Sequence, residues 1–124
     1  MNNMLQAVRT GMDLLGIHYA FMEWKGKPQY PYFVGEYQEP EMQTEDGRQD
    51  AAFMLTGFSR GSWQELEQAR QKIEQFYHKV EGRIVTAEGS AVAIYYAGSL
   101  PVPTGDAELK KIQINLTVKE WSVK

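Results

Sequence analysis

Leu5, Val8, Met12 and Leu15 recur three and four positions apart, a spacing that gathers them on one stripe of a helix. The pattern predicts a helix over residues 2–15, stopped at Gly16. From His18 to Trp24 the period changes to two: Ala20, Met22 and Trp24 share one face of a predicted strand, and Tyr19 and Phe21 the other. Gly26 and Pro28 end it. Tyr32 to Tyr37 reads as a second strand, with Tyr32 and Val34 to one side and Phe33 and Tyr37 to the other. Ala51 to Phe58 reads as a third, Phe53 and Leu55 opposing Met54 and Phe58, closed by Gly57 and Gly61.

Ser62 and Glu65 have the S-x-x-E spacing of a capping box. They open a run in which Leu66, Ala69, Ile73, Phe76 and Val80 alternate three and four apart, which predicts a second helix of about five turns reaching Gly82. Arg83–Thr86 and Val92–Ala97 read as strands about a Gly89-Ser90 turn, and Leu100–Asp106 as a Pro- and Gly-rich loop. In the last strand Ile112, Ile114, Leu116 and Val118 alternate strictly with Gln113, Asn115, Thr117 and Lys119, so one side is core and the other wet. The expected fold is α+β: a single antiparallel or mixed sheet of four to five strands with two amphipathic helices packed on one face. The first three strands are apolar on both faces, however, and two helices cover only one. Loops or another subunit must cover the second, and another subunit is the preferred answer.

At 124 residues the chain fits one domain, residues 1–124, able to bury its own core. The absence of cysteine excludes disulfides, thiolate nucleophiles and cysteine-ligated metals. A net charge of -3 is the wrong sign for sequence-specific nucleic-acid binding. The charge is also uneven: Glu36, Glu39, Glu41, Glu45, Asp46 and Asp50 against Arg48 put -5 on residues 36–50, leaving the remainder at +2. No apolar run approaches the roughly 20 residues of a membrane span. The N-terminal Met1-Asn2-Asn3 lacks the basic flank of a signal peptide, so a cytoplasmic location is expected.

Catalytic signals are weak. Gly57-Phe58-Ser59-Arg60-Gly61 matches G-x-S-x-G between a strand and a helix. A hydrolase of that kind needs an acid and then a histidine further along, whereas His78, the only histidine after Ser59, belongs to the helix that follows directly. A glycine-flanked turn is the preferred reading. His18 and His78 have no second imidazole at chelating spacing, and residues 36–50 lack the ordered acidic ladder of a calcium loop. Base stacking on Tyr30, Tyr32 and Phe33 would need a basic groove where the neighbouring charges are mostly negative. The sequon Asn115-Leu116-Thr117 lies within a strand. No catalytic, cofactor or metal residue is assigned. The crowd of aromatics from Tyr19 to Tyr37 reads instead as a contact surface, because rings bring large apolar area with few rotors to freeze.

The order helix, strand, Tyr30-Pro31-Tyr32-Phe33-Val34-Gly35-Glu36-Tyr37, acidic insertion, Phe53-Met54-Leu55-Thr56-Gly57, then Ser62-Trp63-Gln64-Glu65-Leu66 and a long helix resembles small tail-completion proteins of long-tailed bacteriophages and prophages, most of all the tail terminator group. The resemblance spans most of the chain through element order and a few aromatic and glycine positions. It implies a structural, non-enzymatic protomer that forms a ring, commonly a hexamer, on the end of the tail tube and joins it to the head connector. The implied partners are further copies, the tube protein and the connector, and the implied location is the host cytoplasm during assembly and then the virion tail. The resemblance carries over no site residues. Interface candidates chosen from the chain itself are Tyr30, Tyr32, Phe33 and Tyr37, with Glu39 and Glu41. The acidic stretch would suit the lining of a DNA channel by like-charge repulsion. Alternatives are another minor tail or head-tail joining component, or a small ligand-binding or regulatory domain with Trp24, Tyr95 and Tyr96 as pocket walls. An enzyme ranks third.

Overall fold

The computed structural model describes residues 2–38, 48–87 and 89–122. The elements run α1 (Asn2–Leu15), β1 (His18–Phe21), β2 (Tyr32–Gln38), β3 (Arg48–Arg60), α2 (Trp63–Tyr77), β4 (Arg83–Ala87), β5 (Ser90–Val102) and β6 (Leu109–Ser122). All six strands join one curled sheet in the order β1-β2-β3-β6-β5-β4. Only β1 and β2 are parallel; every other pair is antiparallel. The expected α+β fold with a sheet of four to five strands is thereby corrected: the protein is mostly sheet, with six strands in one mixed sheet and two helices.

The spine is the β3–β6 pair, in register from Arg48↔Trp121 to Arg60↔Leu109. β3 and β5 are both longer than the hydrophobic pattern predicts. Gly57 does not end β3 but lies inside it, opposite Phe33 of β2, whose ring covers it so closely that an added Cβ would lie 2.4 Å from the ring. A glycine under a cross-strand aromatic is a packing device here and not a breaker. Pro101, read as part of a loop, extends β5: β4 pairs only with Ser90–Ile94, so beyond that point one side of β5 has no strand to receive a missing N–H. At the other end β1 is shorter than predicted, because Met22 turns to φ 70 with its N–H donating to the Gly35 carbonyl at 2.7 Å.

Both helices pack on the same sheet face. That face carries Phe33, Phe53, Leu55, Val92, Ile94, Tyr96, Ile112, Ile114, Leu116 and Val118, which join Met4, Val8 and Met12 of α1 and Leu66, Ile73 and Tyr77 of α2 in one core. The strict alternation predicted for the last strand holds: even positions from Ile112 to Val118 are buried and odd ones half-exposed. In α1 the buried stripe is Met4, Ala7, Val8, Gly11 and Met12, with Leu5 and Leu15 only flanking it, about one position round from the predicted stripe.

Ser62 caps α2 as predicted, its Oγ accepting from the Glu65 N–H at 3.3 Å. The helix ends earlier than predicted. Tyr77 is its last residue, His78 takes φ 65 while its N–H closes on the Glu74 carbonyl at 2.8 Å, and Val80 stands 88 % exposed outside the helix. Arg70 stiffens the outer side of α2, bridging Glu67 and Glu74 and holding both carboxyls below the usual glutamate range, mainly by hydrogen bonding.

Candidate interaction surface

The period of two divides the Tyr19–Tyr37 aromatics between opposite sides of the sheet. Tyr19, Phe21, Phe33 and Tyr37 turn toward the helices, where Phe21 stacks on Tyr37 with centroids 5.9 Å apart and meets Phe53 at 6.4 Å. Tyr32 turns away from the helices. It is the centre of a second cluster, with Trp24 at 5.0 Å, Tyr30 at 5.5 Å and Phe58 stacked on it at 5.0 Å. All four rings are half-buried, and none is among the residues packed against the core beneath the helices.

Of the sequence-chosen interface residues, Tyr30 and Tyr32 therefore lie together on the uncovered face. Phe33 is 0 % exposed and belongs to the core; Tyr37 is partly buried against that core. Glu39 and Glu41 lie outside the described residues. Phe58 joins them from outside the sequence-based set, and its place is legible: its alternation against Phe53 and Leu55 puts it on the outer face, and the β2–β3 register sets it opposite Tyr32.

Cations border the cluster. Arg60 Nε donates to the Tyr30 hydroxyl at 3.4 Å while Nη1 pairs with Asp106 at 3.4 Å. Lys111 Nζ sits 5.6 Å from the Phe58 ring centroid, and Trp24 Nε1 donates to the Lys27 carbonyl at 3.3 Å within the connection that also carries the exposed Lys25. Partial burial pushes the Tyr32 phenol up, the neighbouring Tyr30 adding to the effect and Arg60 opposing it. Planar rings edged by lysine and arginine suit contact with an acidic protein surface: the rings supply desolvated area, and the cations supply orientation.

Other concavities serve less well. Tyr95 and Tyr96 line an open trough of about 590 Å³ with Lys79, Val80, Thr117 and Lys119, but Trp24 is not one of its walls. A smaller apolar cavity of about 220 Å³ lies between α1, the end of α2 and β4–β5, lined among others by Ala7, Gly11, Leu14, Phe76 and Tyr77. It falls below the roughly 300 Å³ at which small-molecule sites begin. The Tyr77 hydroxyl there is buried with no hydrogen-bond partner among the described residues and is pressed against Gly11, where any side chain would collide with it.

The G-x-S-x-G serine is fully buried, and its Oγ donates to the Glu65 carboxylate at 2.7 Å. His78 lies beyond the opposite end of α2, about 20 Å away along a helix of this length. Among the described residues no three histidine, aspartate or glutamate side chains are gathered as a metal site, and no helix is long and apolar enough to cross a membrane. The sequence matches no protein-family model and no curated protein.

Proposed function

We propose that this chain is a structural subunit of a long-tailed phage or prophage tail, a terminator-like protein that forms a ring on the end of the tail tube and joins it to the head connector. The observation that carries the reading is the Tyr32-centred cluster: Tyr32 and Phe58 of the sheet with Trp24 and Tyr30 of the β1–β2 connection packed on them, four half-buried rings on the side away from both helices. A patch of this kind is what a subunit keeps for another subunit. The element order that resembles tail-completion proteins supports the same reading. The work assigned to this protein is contact, with no bond made or broken, and its partners are copies of itself, the tube protein and the connector. It would be made in the host cytoplasm and end in the virion tail. A different minor tail or head-tail joining role would use the same surface with another docking partner.

Electron microscopy of the concentrated protein, alone and with tubes of the tail tube protein encoded in the same genome, tests the proposal. Annuli of one diameter, free or capping the tubes, are expected. Dispersed monomers in both preparations would refute it.

A further inference from the structure

We infer that the apolar cavity between α1, the end of α2 and β4–β5 is a binding site for a small monocarboxylate, a molecule with one aromatic ring or a short branched chain and a single carboxylate. The site lies on the helix side of the sheet, away from the Tyr32 cluster, and does not depend on the ring-forming reading.

The walls set the size and the body of the ligand. Val85 of β4 and Val92 of β5 come from the sheet, Ala7 and Leu14 from α1, and Phe76 from α2. Ala7 and Val92 are buried, whereas Leu14 is 66 % exposed and marks the mouth. At about 220 Å³ the space excludes a nucleotide or a drug-sized molecule. It exceeds the roughly 150 Å³ of an engineered apolar cavity that takes up benzene, so one ring or a short branched chain fits.

The polar groups set the charge. Among the polar side chains lining the cavity, Asn3 Nδ2 is spent on Ser90 Oγ at 2.6 Å, and Gln6 Nε2 donates to Thr10 Oγ1 at 3.3 Å. Two donors are left. The Tyr77 hydroxyl lies at the wall against Gly11, buried and with no hydrogen-bond partner among the described residues. The Arg83 guanidinium is held over the Phe76 ring, 3.9 Å from its centroid, and pairs with no carboxylate among the described residues. Its charge opposes the rise that burial gives the Tyr77 phenol, so the two donors are near enough to act on each other. Among the described residues no aspartate or glutamate lines the cavity.

A buried donor without an acceptor is costly, and a charged acceptor satisfies it best. One carboxylate serves both groups: it accepts a charge-assisted hydrogen bond from Arg83 and another from Tyr77, while the apolar body takes Phe76, Val85 and Val92 out of water. A bare anion such as phosphate would leave the apolar walls wet, and a neutral hydrocarbon would leave both donors empty.

Nuclear magnetic resonance titration of the full chain with phenylacetate tests the site, with phenylacetamide as the neutral isostere and inorganic phosphate as the anion without an apolar body. Phenylacetate should bind with a Kd of about 1 mM or tighter and shift amides of α1, the end of α2 and β4–β5. Phenylacetamide and phosphate should bind at least about tenfold more weakly. Arg83→Gln, at an exposed position and checked for folding by circular dichroism, should weaken phenylacetate by about tenfold or more and leave phenylacetamide unchanged. Tyr77→Phe removes only the unpartnered hydroxyl, so it should keep or raise Tm while weakening phenylacetate by about threefold or more. No saturable shifts at about ten times the expected Kd, shifts confined to other surfaces, or an amide that binds as tightly as the acid would overturn the assignment. So would Arg83→Gln or Tyr77→Phe chains that bind phenylacetate like the wild type. None of these results touches ring assembly, whose surface lies across the sheet.

Discussion

Tyr32 and Phe33 are adjacent aromatics on one strand, and the structure assigns them opposite fates. Phe33 is 0 % exposed, its ring lying across Gly57 within the core. Phe33→Ala should therefore cost about 3–5 kcal/mol of stability, the range for emptying a buried aromatic site. Set against a total of about 5–15 kcal/mol for a domain, that is a large share. At roughly 3–5 °C per kcal/mol for a chain of this length, Tm should fall by about 10–20 °C. Tyr32 is half-exposed and keeps its place through three ring contacts on an uncovered face. Ring pairs contribute about 0.5–1.5 kcal/mol each and less when part-solvated, so Tyr32→Ala should cost about 1–2 kcal/mol of protomer stability. Its main effect should be on self-association. Losing an aromatic anchor at the centre of an interface commonly costs about 2 kcal/mol or more, close to 30-fold in dissociation constant. Denaturant titration of dilute protomer gives the first quantity, and sedimentation equilibrium of concentrated protein the second. A Phe33→Ala chain that keeps the wild-type midpoint and loses only association would refute the placement of the two faces. So would a Tyr32→Ala chain destabilised as much as Phe33→Ala.

Gly57→Ala should destabilise by about 1–3 kcal/mol through overpacking, since the new methyl would meet the Phe33 ring at 2.4 Å; denaturation midpoints check this, and the loss should shrink when Phe33→Leu is added. High pH should unfold the protein through its buried phenols. Burial pushes Tyr19 up to about 12 against the opposing Arg9 and raises Tyr77 still more against Arg83. The fold thus favours the neutral phenols, a contribution complete below the unfolded tyrosine value of about 10 and lost as pH rises from there through about 12. Absorbance at 295 nm should show two phenols ionising late and together with the loss of near-ultraviolet circular dichroism. Full ionisation near pH 10 with the fold intact would contradict it.

Much of the fold is legible wherever local pattern and tertiary burial agree. Strict alternation from Ile112 to Val118 marks a strand with one core face, and the S-x-x-E spacing places the start of α2 at the right residue. Reading fails where a residue's local preference is overruled by what lies across from it. Gly57 and Pro101 are breakers by propensity, yet a ring fills the space above the first, and the second lies where one side of its strand has no partner strand. Val80 continues the helical spacing of Leu66, Ala69, Ile73 and Phe76, but the chain has already turned at His78, so its periodicity is a coincidence of spacing.

The candidate surface shows the same division more sharply. Residue type alone ranks Phe33 beside Tyr32 as a contact residue, because both are large and aromatic. Parity along the strand separates them, and the pairing partner decides which parity is buried: Phe33 faces Gly57, which leaves room for its ring beneath the helices, while Tyr32 faces Phe58 on the side with no helix. Had the glycine stood at 58 and the phenylalanine at 57, the two rings would compete for the same core volume, and the space over the outer strand would be empty. One glycine thus makes room for Phe33 in the core, while Tyr32 packs on Phe58 on the outer face. That choice lies in the pairing of β2 with β3, so no single segment read by itself could reveal it.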